Sequence, residues 1–185
     1  MYVRNCFYWR VVIAALLVAA WSGAATAVGL VQKDPWAPLS LLLGEWEGEG
    51  AGKPGQGTGG FTFSRDLQGK VLIRKNYAEY PSTKDRPAFR HDDLMVAYKE
   101  DTSNRIRAIY FDSENHIINY SVAASEDRNS VEFLSDPDPT GPRYRLTYRS
   151  AGLDKMSIKF EIAPAGKPDA FATYIEATCR RKHAK

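Results

Sequence analysis

The sequence KMSIKFEIA, from Lys155 to Ala163, has a clear period of two. Every second residue is apolar, namely Met156, Ile158, Phe160 and Ile162, and the residues between them are Lys155, Ser157, Lys159 and Glu161. Because successive side chains of a strand point to opposite faces, this alternation predicts a β-strand with one face in a core. Glu161 falls on the polar face, and we expect it there, like Glu176, as a surface ion-pair partner of residues such as Lys159.

From Glu45 onward the chain repeats this kind of pattern. Runs rich in Val, Ile, Tyr, Phe and Thr recur at short intervals and are separated by turn residues. The predicted strands are Glu45–Gly50, Gly60–Leu67, Lys70–Tyr80, Asp92–Lys99, Arg105–Asp112, His116–Ala123, Ser130–Ser135, Arg143–Arg149, Lys155–Ala163 and Phe171–Arg180. About ten consecutive strands with short connections predict an all-β, antiparallel up-and-down sheet, and closing it into a barrel removes the exposed edges.

One short helix is predicted before the strands. The stretch WAPLSLLL, Trp36 to Leu43, follows Asp34-Pro35 and stops at Gly44. Asp suits the cap of a helix, proline its first turn and glycine its exit. In the last predicted strand, alternation places one set of side chains on the apolar face: Phe171, Thr173, Ile175, Ala177 and Cys179. Cys179 is therefore predicted to be a buried structural thiol.

The composition is that of a folded, single-domain protein. The 185 residues are 44% hydrophobic and 25% charged, which excludes a disordered chain, a collagen-like repeat and a multi-span membrane protein. The formal net charge is only +3, with lysines and arginines scattered among 22 acidic residues. Since no concentrated basic patch is present in the sequence, we expect no nucleic-acid partner.

Residues 1–27 have the pattern of an export signal. Arg4 and Arg10 precede the apolar core Val11–Ala20, and the segment ends in Ala25-Thr26-Ala27, the A-x-A pattern of a cleavage site. Cleavage after Ala27 predicts a single mature domain, residues 28–185, in the periplasm or outside the cell and without stable membrane insertion. The alternative is an uncleaved membrane anchor, because no charge lies between Arg10 and Lys33.

The stretch Gly48–Gly60 contains the pattern G-x-G-x-x-G twice. A dinucleotide site needs a strand before this pattern and a helix after it, so that the phosphates meet the helix N-terminus. Here Pro54 interrupts the stretch, and Phe61-Thr62-Phe63 continues as a strand. The glycines are therefore predicted to form a flexible hairpin connection at a barrel rim, and not a nucleotide site.

The segment GEWEGEG, Gly44 to Gly50, has the form G-x-W-x-G-x-G and resembles the opening of lipocalin-like (calycin) barrels. In them a Trp early in the first strand packs across the closed end, which implies that role for Trp46. Four further segments resemble a family of uncharacterised bacterial lipocalin-like proteins: KVLIRKNYAEYP (70–81), RHDDLMVAY (90–98), AIYFDSENHIINY (108–120) and FEIAPAGKPDAFATYIEA (160–177).

The opening motif is also similar to that of nitrobindin-type haem barrels. Those barrels have ten strands and hold ferric haem through a His near the C-terminal end. Here the last predicted strand contains no His, and His183 lies beyond it. We therefore expect no resident cofactor, and a haem protein acting on nitrogen oxides is the alternative.

Several predicted strands carry polar or aromatic residues in phase with apolar ones, as Arg74 and Asn76 are with Leu72. A barrel with a partly polar cavity accommodates such residues better than a small solid barrel. The predicted ligand-binding residues are Arg74, Asn76, His91, Asp93, Tyr98, Tyr110, His116 and Tyr120. Further interior candidates are Tyr80, Asp112, Arg145 and Tyr148.

This set of residues predicts a binder of a small, largely apolar or amphiphilic molecule that can carry an anionic end, working as a monomer or homodimer. Arg74 is expected to meet the charged end, and Asp93 is its alternative partner within the protein. A hydrolase or isomerase remains open, but with no nucleophile elbow in the sequence no catalytic residue is assigned. The groups around His91 and His116 contain metal-type ligands, and we interpret them as turn-capping residues and expect no metal.

Overall fold

The computed structural model describes residues 34–48 and 57–183. The predicted export signal, its cleavage position after Ala27 and most of the glycine-rich stretch lie outside these residues. They stay predictions.

Within the described residues, ten antiparallel strands close into a barrel. The strands are β1 Gly44–Gly48, β2 Thr58–Asp66, β3 Val71–Tyr80, β4 Phe89–Lys99, β5 Ile106–Asp112, β6 Ile117–Ala124, β7 Ser130–Ser135, β8 Arg143–Gly152, β9 Lys155–Ala163 and β10 Ala172–Arg181. Each strand pairs with its neighbours in sequence, and β1 closes the barrel against β10 through Trp46 opposite Arg181. The predicted all-β, ten-stranded antiparallel barrel is confirmed.

A short 3-10 helix, Ala37–Leu42, covers one end of the barrel, which we call the helix end. Asp34 accepts a hydrogen bond from the Trp36 backbone at 3.0 Å, but the residue at the helix cap is Trp36, which makes no side-chain capping bond, so the predicted capping by Asp34 is wrong. Trp36, Leu39 and Leu42 are buried in the same core as the strands. The Trp36 indole donates to the Gly69 carbonyl at 2.7 Å, so the helix is fixed to the connection between β2 and β3.

Trp46 lies in the core directly above this helix. Its side chain is buried, its indole donates to the Leu42 carbonyl at 2.9 Å, and its ring stacks on Phe61 at 6.1 Å between centroids. The guanidinium of Arg181 lies 4.2 Å from the ring centroid of Trp46. The predicted burial of this Trp at the closed end is confirmed.

Glycine is required where β1, β2 and β3 approach each other most closely. A Cβ on Gly60 would lie 2.6 Å from the Trp46 carbonyl oxygen, and one on Gly57 would lie 2.8 Å from the Glu79 carbonyl oxygen. Both contacts are with backbone, which cannot move aside as a flexible side chain can. The described end of the glycine-rich stretch therefore serves strand packing.

The middle of the barrel is filled with aromatic rings. Phe61, Phe63, Phe133 and Tyr148 pack with centroid separations between 5.5 and 6.5 Å, and Tyr120 joins them through Phe133 at 6.2 Å. Tilted and edge-to-face arrangements dominate, which is the favourable geometry for aromatic quadrupoles. The core thus separates the helix end from the opposite end, which we call the loop end.

The last strand differs from its predicted facing because it contains a β-bulge. Thr173 pairs with Glu161 and Ile175 with Phe160, so Tyr174 is the extra residue between them. A bulge reverses the alternation, and Thr173 consequently lies on the outer face while Ile175 lies on the inner one. The prediction that Phe171 and Thr173 share a face with Ala177 and Cys179 is therefore wrong. Cys179 itself is buried, as predicted.

Glu161 lies on the outer face, as predicted, but it is only 5% exposed. Its carboxylate accepts from Arg145 at 2.7 Å and pairs with Lys159 at 2.8 Å. Phe171 covers this group, since the Arg145 guanidinium lies 4.2 Å from its ring centroid. The pairing with Lys159 is confirmed, and the expected surface exposure is wrong.

Candidate functional site

Inward-facing residues of β3 and β4 form a polar path from the loop end toward the aromatic core. The inward side chains of β3 are Leu72, Arg74, Asn76, Ala78 and Tyr80, and their partners on β4 are Ala97, Met95, Asp93, His91 and Phe89. Tyr80 and Phe89 lie at the loop end, and Leu72 and Ala97 are buried in the core. With about 3.4 Å per residue, the path from Tyr80 to Arg74 is about 20 Å long.

Arg74 and Asp93 form a buried ion pair at the bottom of this path. Arg74 donates through Nη1 to Asp93 Oδ1, and Asn76 donates to Asp93 Oδ2 at 2.7 Å. The side chains of Arg74 and Asp93 are 8% and 4% exposed. Burial lowers the pKa of Arg74, but the negative charge of Asp93 opposes this, and the net shift is upward. Arg74 therefore stays charged, with Asp93 as the internal partner anticipated from the sequence.

His91 connects the ion pair to a second set of polar groups above it. Its Nε2 lies 3.2 Å from the Tyr110 hydroxyl and 3.5 Å from Asp93 Oδ2, and its Nδ1 lies 3.0 Å from Glu114 Oε1. A carboxylate only accepts hydrogen bonds, so Nδ1 carries the proton. Both ring nitrogens of His91 are thus engaged with described residues.

Asp112 fixes the turn between β5 and β6 beside this network. It accepts from the backbone of Glu114 and of His116 at 2.9 Å each and lies 2.8 Å from His116 Nδ1. Burial raises the pKa of Asp112, but these hydrogen bonds outweigh burial and lower it overall. Tyr110 donates to Asp112 at 3.3 Å, which completes a chain of polar contacts from Glu114 to His116. The turn-capping interpretation of this group agrees with these contacts.

Two buried polar atoms at the border of the aromatic core are unsatisfied. Among the described residues, neither Arg74 Nε nor the Tyr148 hydroxyl has a hydrogen-bond partner. The two side chains flank the same ring, because Phe61 lies 5.6 Å from the Arg74 guanidinium and 5.5 Å from the Tyr148 ring. Leaving a buried donor unpaired costs about 1–3 kcal/mol, so these atoms single out a location that favours an acceptor.

Three tyrosines line the inner wall around this location. Burial raises the pKa values of Tyr110, Tyr120 and Tyr148, and each stays a neutral hydroxyl near neutral pH. Neutral hydroxyls can donate to a ligand oxygen. They do not act as bases here.

The structure brings most of the predicted ligand-binding residues together. A connected series of contacts joins Arg74, Asn76, Asp93, His91 and Tyr110, and Tyr120 packs edge-to-face on Tyr110 at 6.4 Å. His116 reaches the network only through Asp112, and its side chain is half-exposed. The role of these residues in binding a ligand stays a prediction.

Tyr98 and Arg145 lie outside the barrel, so the prediction that they face the interior is wrong. Tyr98 pairs with Val71 and Arg107, and its neighbour Ala97 is the inward residue. Counting by two from Asp93 gives Ala97, so strict alternation would have excluded Tyr98. Arg145 is excluded in the same way by the inward Leu146 beside it.

Glu114 and Tyr148 are the residues that sequence reasoning left out of the binding set. Glu114 contacts His91 from a turn 23 residues away, a contact that only strand register creates. Tyr148 was predicted from its phase with Leu146 to face the interior, and it does, but it was not included in the binding set. Alternation could not show that its hydroxyl is unsatisfied.

Aromatic side chains line the loop end. Tyr80 stacks on Phe89 at 4.5 Å, and the Arg86 guanidinium lies 4.3 Å from the Phe89 ring centroid. A cleft of about 540 Å³ borders this pair, and its lining also includes Pro81 and Ala88. On the opposite wall, Tyr144 stacks on Phe160 at 5.9 Å. The cleft is also lined by the outward-facing Glu79 and Arg90, so it lies at the rim of the loop end.

The described histidines do not fit the haem arrangement that the resemblance implies. The inward side chains near the end of β10 are Ile175, Ala177 and Cys179, and His183 lies beyond the strand with its Nε2 3.2 Å from Asp154. Within residues 34–48 and 57–183, no group of three or more His, Cys, Asp or Glu side chains has the arrangement of a metal site. The same residues contain no helix long and apolar enough to cross a membrane.

Comparison with protein-family models gives no match, and comparison with curated proteins gives no significant match. The likeness to lipocalin-like barrels therefore rests on the fold, a closed antiparallel barrel of the kind that can enclose a ligand.

Proposed function

We propose that this protein binds a small, largely apolar molecule through the loop end of the barrel and holds the polar end of that molecule against Arg74 and Tyr148. The observation that carries the proposal is the pair of buried, unsatisfied donors, Arg74 Nε and the Tyr148 hydroxyl. Both groups are donors, so a ligand that brings an acceptor oxygen to this location supplies a missing partner. Ligand pockets combine apolar walls with a few such convergent polar groups.

The path of the ligand follows from the inward residues of β3. Tyr80 and Phe89 supply apolar surface at the loop end, and the small Ala78 lies opposite His91 below them. Arg74 Nε and the Tyr148 hydroxyl are inaccessible to solvent in this structure. Entry of a ligand therefore involves a shift of neighbouring aromatic side chains, and binding selects that opened state.

We further propose that the protein works as an exported carrier or sensor. The support is the arrangement of basic, apolar and A-x-A segments in residues 1–27. A carrier outside the cytoplasm protects an apolar molecule from water without transforming it, which agrees with an interior whose tyrosines are neutral.

The test of the binding function is a pair of matched tyrosine variants. An environment-sensitive fluorescent probe with an alkyl chain and a carbonyl end is titrated into the parent, Tyr148→Phe and Tyr77→Phe. Tyr77 is on the outer face of β3, so the same chemical change there is the control. We expect Tyr148→Phe to weaken binding about 2- to 10-fold, the value of one neutral hydrogen bond, and Tyr77→Phe to leave it unchanged.

The stability of the same variants separates a binding role from a structural one. Because the Tyr148 hydroxyl has no partner among the described residues, removing it should leave the free energy of unfolding unchanged or higher. Arg74→Met should weaken binding more, since a hydrogen bond to a charged group is stronger. Equal affinity of the parent and Tyr148→Phe contradicts the placement at Tyr148. The function is wrong if apolar probes of several lengths bind none of the proteins.

A further inference from the structure

We infer that the polar end of the ligand is an uncharged hydrogen-bond acceptor, such as a ketone, aldehyde or ester carbonyl, and not a carboxylate. This inference rests on the proposed function and names the chemical class of its ligand. The sequence predicted an anionic end at Arg74, with Asp93 as the alternative partner. The structure shows the pair with Asp93, and this changes the expected ligand.

The charge of Arg74 is balanced within the protein. Asp93 accepts from Arg74 and from Asn76. A second carboxylate at Arg74 Nε would lie on the same guanidinium as Asp93. Two like charges held that close in a buried site repel each other strongly.

Further carboxylates lie above the ion pair. Glu114 and Asp112 lie on the path, each in contact with one imidazole, His91 and His116 respectively. The carboxylates near the path are therefore those of Asp93, Asp112 and Glu114, and of these Asp93 contacts Arg74 directly. Burial keeps Tyr110, Tyr120 and Tyr148 neutral, and the Arg86 guanidinium lies at the loop end against Phe89. An anion placed at Arg74 Nε would lie next to Asp93, with Asp112 and Glu114 further along the path, and these carboxylates repel it.

The two unsatisfied groups determine which kind of ligand group can bind them. The two unsatisfied atoms are both N–H or O–H groups, and a carbonyl oxygen accepts from two donors without adding charge. An alcohol would accept equally but would add a donor that needs its own acceptor in the core. A carbonyl with an apolar chain supplies an acceptor and adds neither a charge nor an unpaired donor of its own.

The test compares two molecules that differ only in the group beside the carbonyl. Methyl undecyl ketone and dodecanoate have the same chain and the same carbonyl carbon, and dodecyltrimethylammonium serves as a cationic reference. Each displaces the fluorescent probe from the parent protein at neutral pH. We expect the ketone to bind at least about 10-fold more tightly than dodecanoate, which corresponds to about 1.4 kcal/mol. Dodecanoate binding as tightly as the ketone, or more tightly, overturns the inference and leaves the binding function standing.

Charge variants test the stated cause. Asp93→Asn leaves Arg74 without its balancing charge and should reduce or reverse the preference for the ketone. Should Asp93→Asn fail to fold, Glu114→Gln carries the test, because that side chain is half-exposed and contacts His91. We expect Glu114→Gln to improve dodecanoate binding about 2- to 3-fold, consistent with a partly screened charge. Glu176→Gln changes the net charge equally on the exposed outer face of β10 and should change neither affinity.

The possible failures are distinct. If neither the ketone, dodecanoate nor the ammonium displaces the probe, and the probe itself does not bind, the proposed function is wrong and the inference falls with it. If the ammonium binds best, attraction to the carboxylates near the path is stronger than hydrogen bonding to the two donors. The inference is then wrong, while the binding function stands.

Discussion

Trp46 contacts several secondary-structure elements at the helix end. Its indole hydrogen bond reaches Leu42, its ring stacks on Phe61, and Arg181 lies against its face. Those contacts join the 3-10 helix, β1, β2 and β10. A ring that bridges four elements leaves a large cavity when it is removed, since the elements cannot all collapse onto the space.

We therefore expect Trp46→Ala to lower the free energy of unfolding by about 3–5 kcal/mol. Chemical denaturation of the parent and the variant measures this loss. Leu153→Ala is the control, because Leu153 is almost fully exposed and its truncation should change the denaturant midpoint little. If Trp46→Ala and the parent unfold at the same midpoint, Trp46 does not close the barrel.

Arg74 shows how far single residues could be understood from the sequence. Its phase with Leu72 predicted an inward guanidinium, and the cost of burying that charge predicted either Asp93 or a ligand as its partner. The structure shows the Asp93 pair and an unsatisfied Nε on the same side chain. The sequence could not decide between the two partners because guanidinium has several donors, and only coordinates show which donors are used.

At the scale of the strand, alternation predicted facing wherever the strand is regular. Met156, Ile158, Phe160 and Ile162 of β9 face inward as the pattern indicated. On β10 the pattern failed at Tyr174, because a bulge inserts one residue and reverses every position before it. Nothing in the run FATYIEATC marks the bulge, since both phases contain apolar residues. Local patterns do not determine pairing register, which depends on the neighbouring strand.

The burial of Glu161 has the same origin in long-range contacts. The sequence places Lys159 and Glu161 on one face of β9, but the return of the chain at Phe171 over that face is a tertiary contact. Hydrogen bonds from Arg145, opposed by burial and assisted by Lys159, lower the pKa of Glu161 to about 2. The pKa of an unperturbed Glu is 4.5, so this strand pair stabilises the barrel in a pH-dependent way.

The sign of that dependence follows from the lowered pKa. A carboxyl whose pKa is lower in the folded state contributes stability above its unfolded pKa and loses it as the pH falls through the folded value. We expect Glu161→Gln to lower the free energy of unfolding by about 1–3 kcal/mol at neutral pH, and the difference from the parent to shrink as the pH falls from about 4.5 to about 2.

Denaturation curves of the two proteins across this pH range measure the effect. Glu126→Gln is the control, because Glu126 is exposed in the turn between β6 and β7 and should give no pH-dependent difference. A difference between the parent and Glu161→Gln that stays constant down to the lowest pH would show that the pair acts through packing alone.

At the scale of the whole molecule, closure explains how the barrel holds without cross-links. Each strand is paired on both sides, so the described barrel has no open sheet edge. The predicted mature chain of 158 residues, which is 185 minus 27, retains a single cysteine, Cys179, and can form no internal disulfide. A core of this size is large enough to stabilise a domain outside the cell by burial alone.

The loop-end site is also a property of the whole barrel. Arg74 on β3, Asp93 on β4, Tyr110 on β5 and Tyr148 on β8 converge only because the sheet closes. Sequence reasoning could name most of these side chains, since each lies in phase with apolar neighbours. It could not show that two of their donors stay unsatisfied, because that depends on distances across the barrel.

The location of the protein depends on whether residues 1–27 are cleaved. Residues 28–33 separate the predicted cleavage position from the first described residue, Asp34, so cleavage after Ala27 removes no part of the described barrel. We expect the full chain, expressed in a bacterium, to accumulate outside the cytoplasm with Val28 as its first residue. The mature chain loses Arg4 and Arg10, so its basic residues fall from 25 to 23 against 22 acidic ones, a net charge of about +1.

Cell fractionation and N-terminal sequencing measure both parts of this expectation. Signal peptidase requires small residues at the first and third positions before the cut, so Ala25→Asp and Ala27→Asp should each leave the uncleaved chain in the membrane fraction. Thr26→Ser is the control, because the middle position of the A-x-A pattern is tolerant and this variant should be processed like the parent. A parent protein that keeps Met1 and stays in the membrane fraction would establish the anchor and overturn the cleavage prediction, because residues 11–32 would then span the bilayer as one uncharged segment.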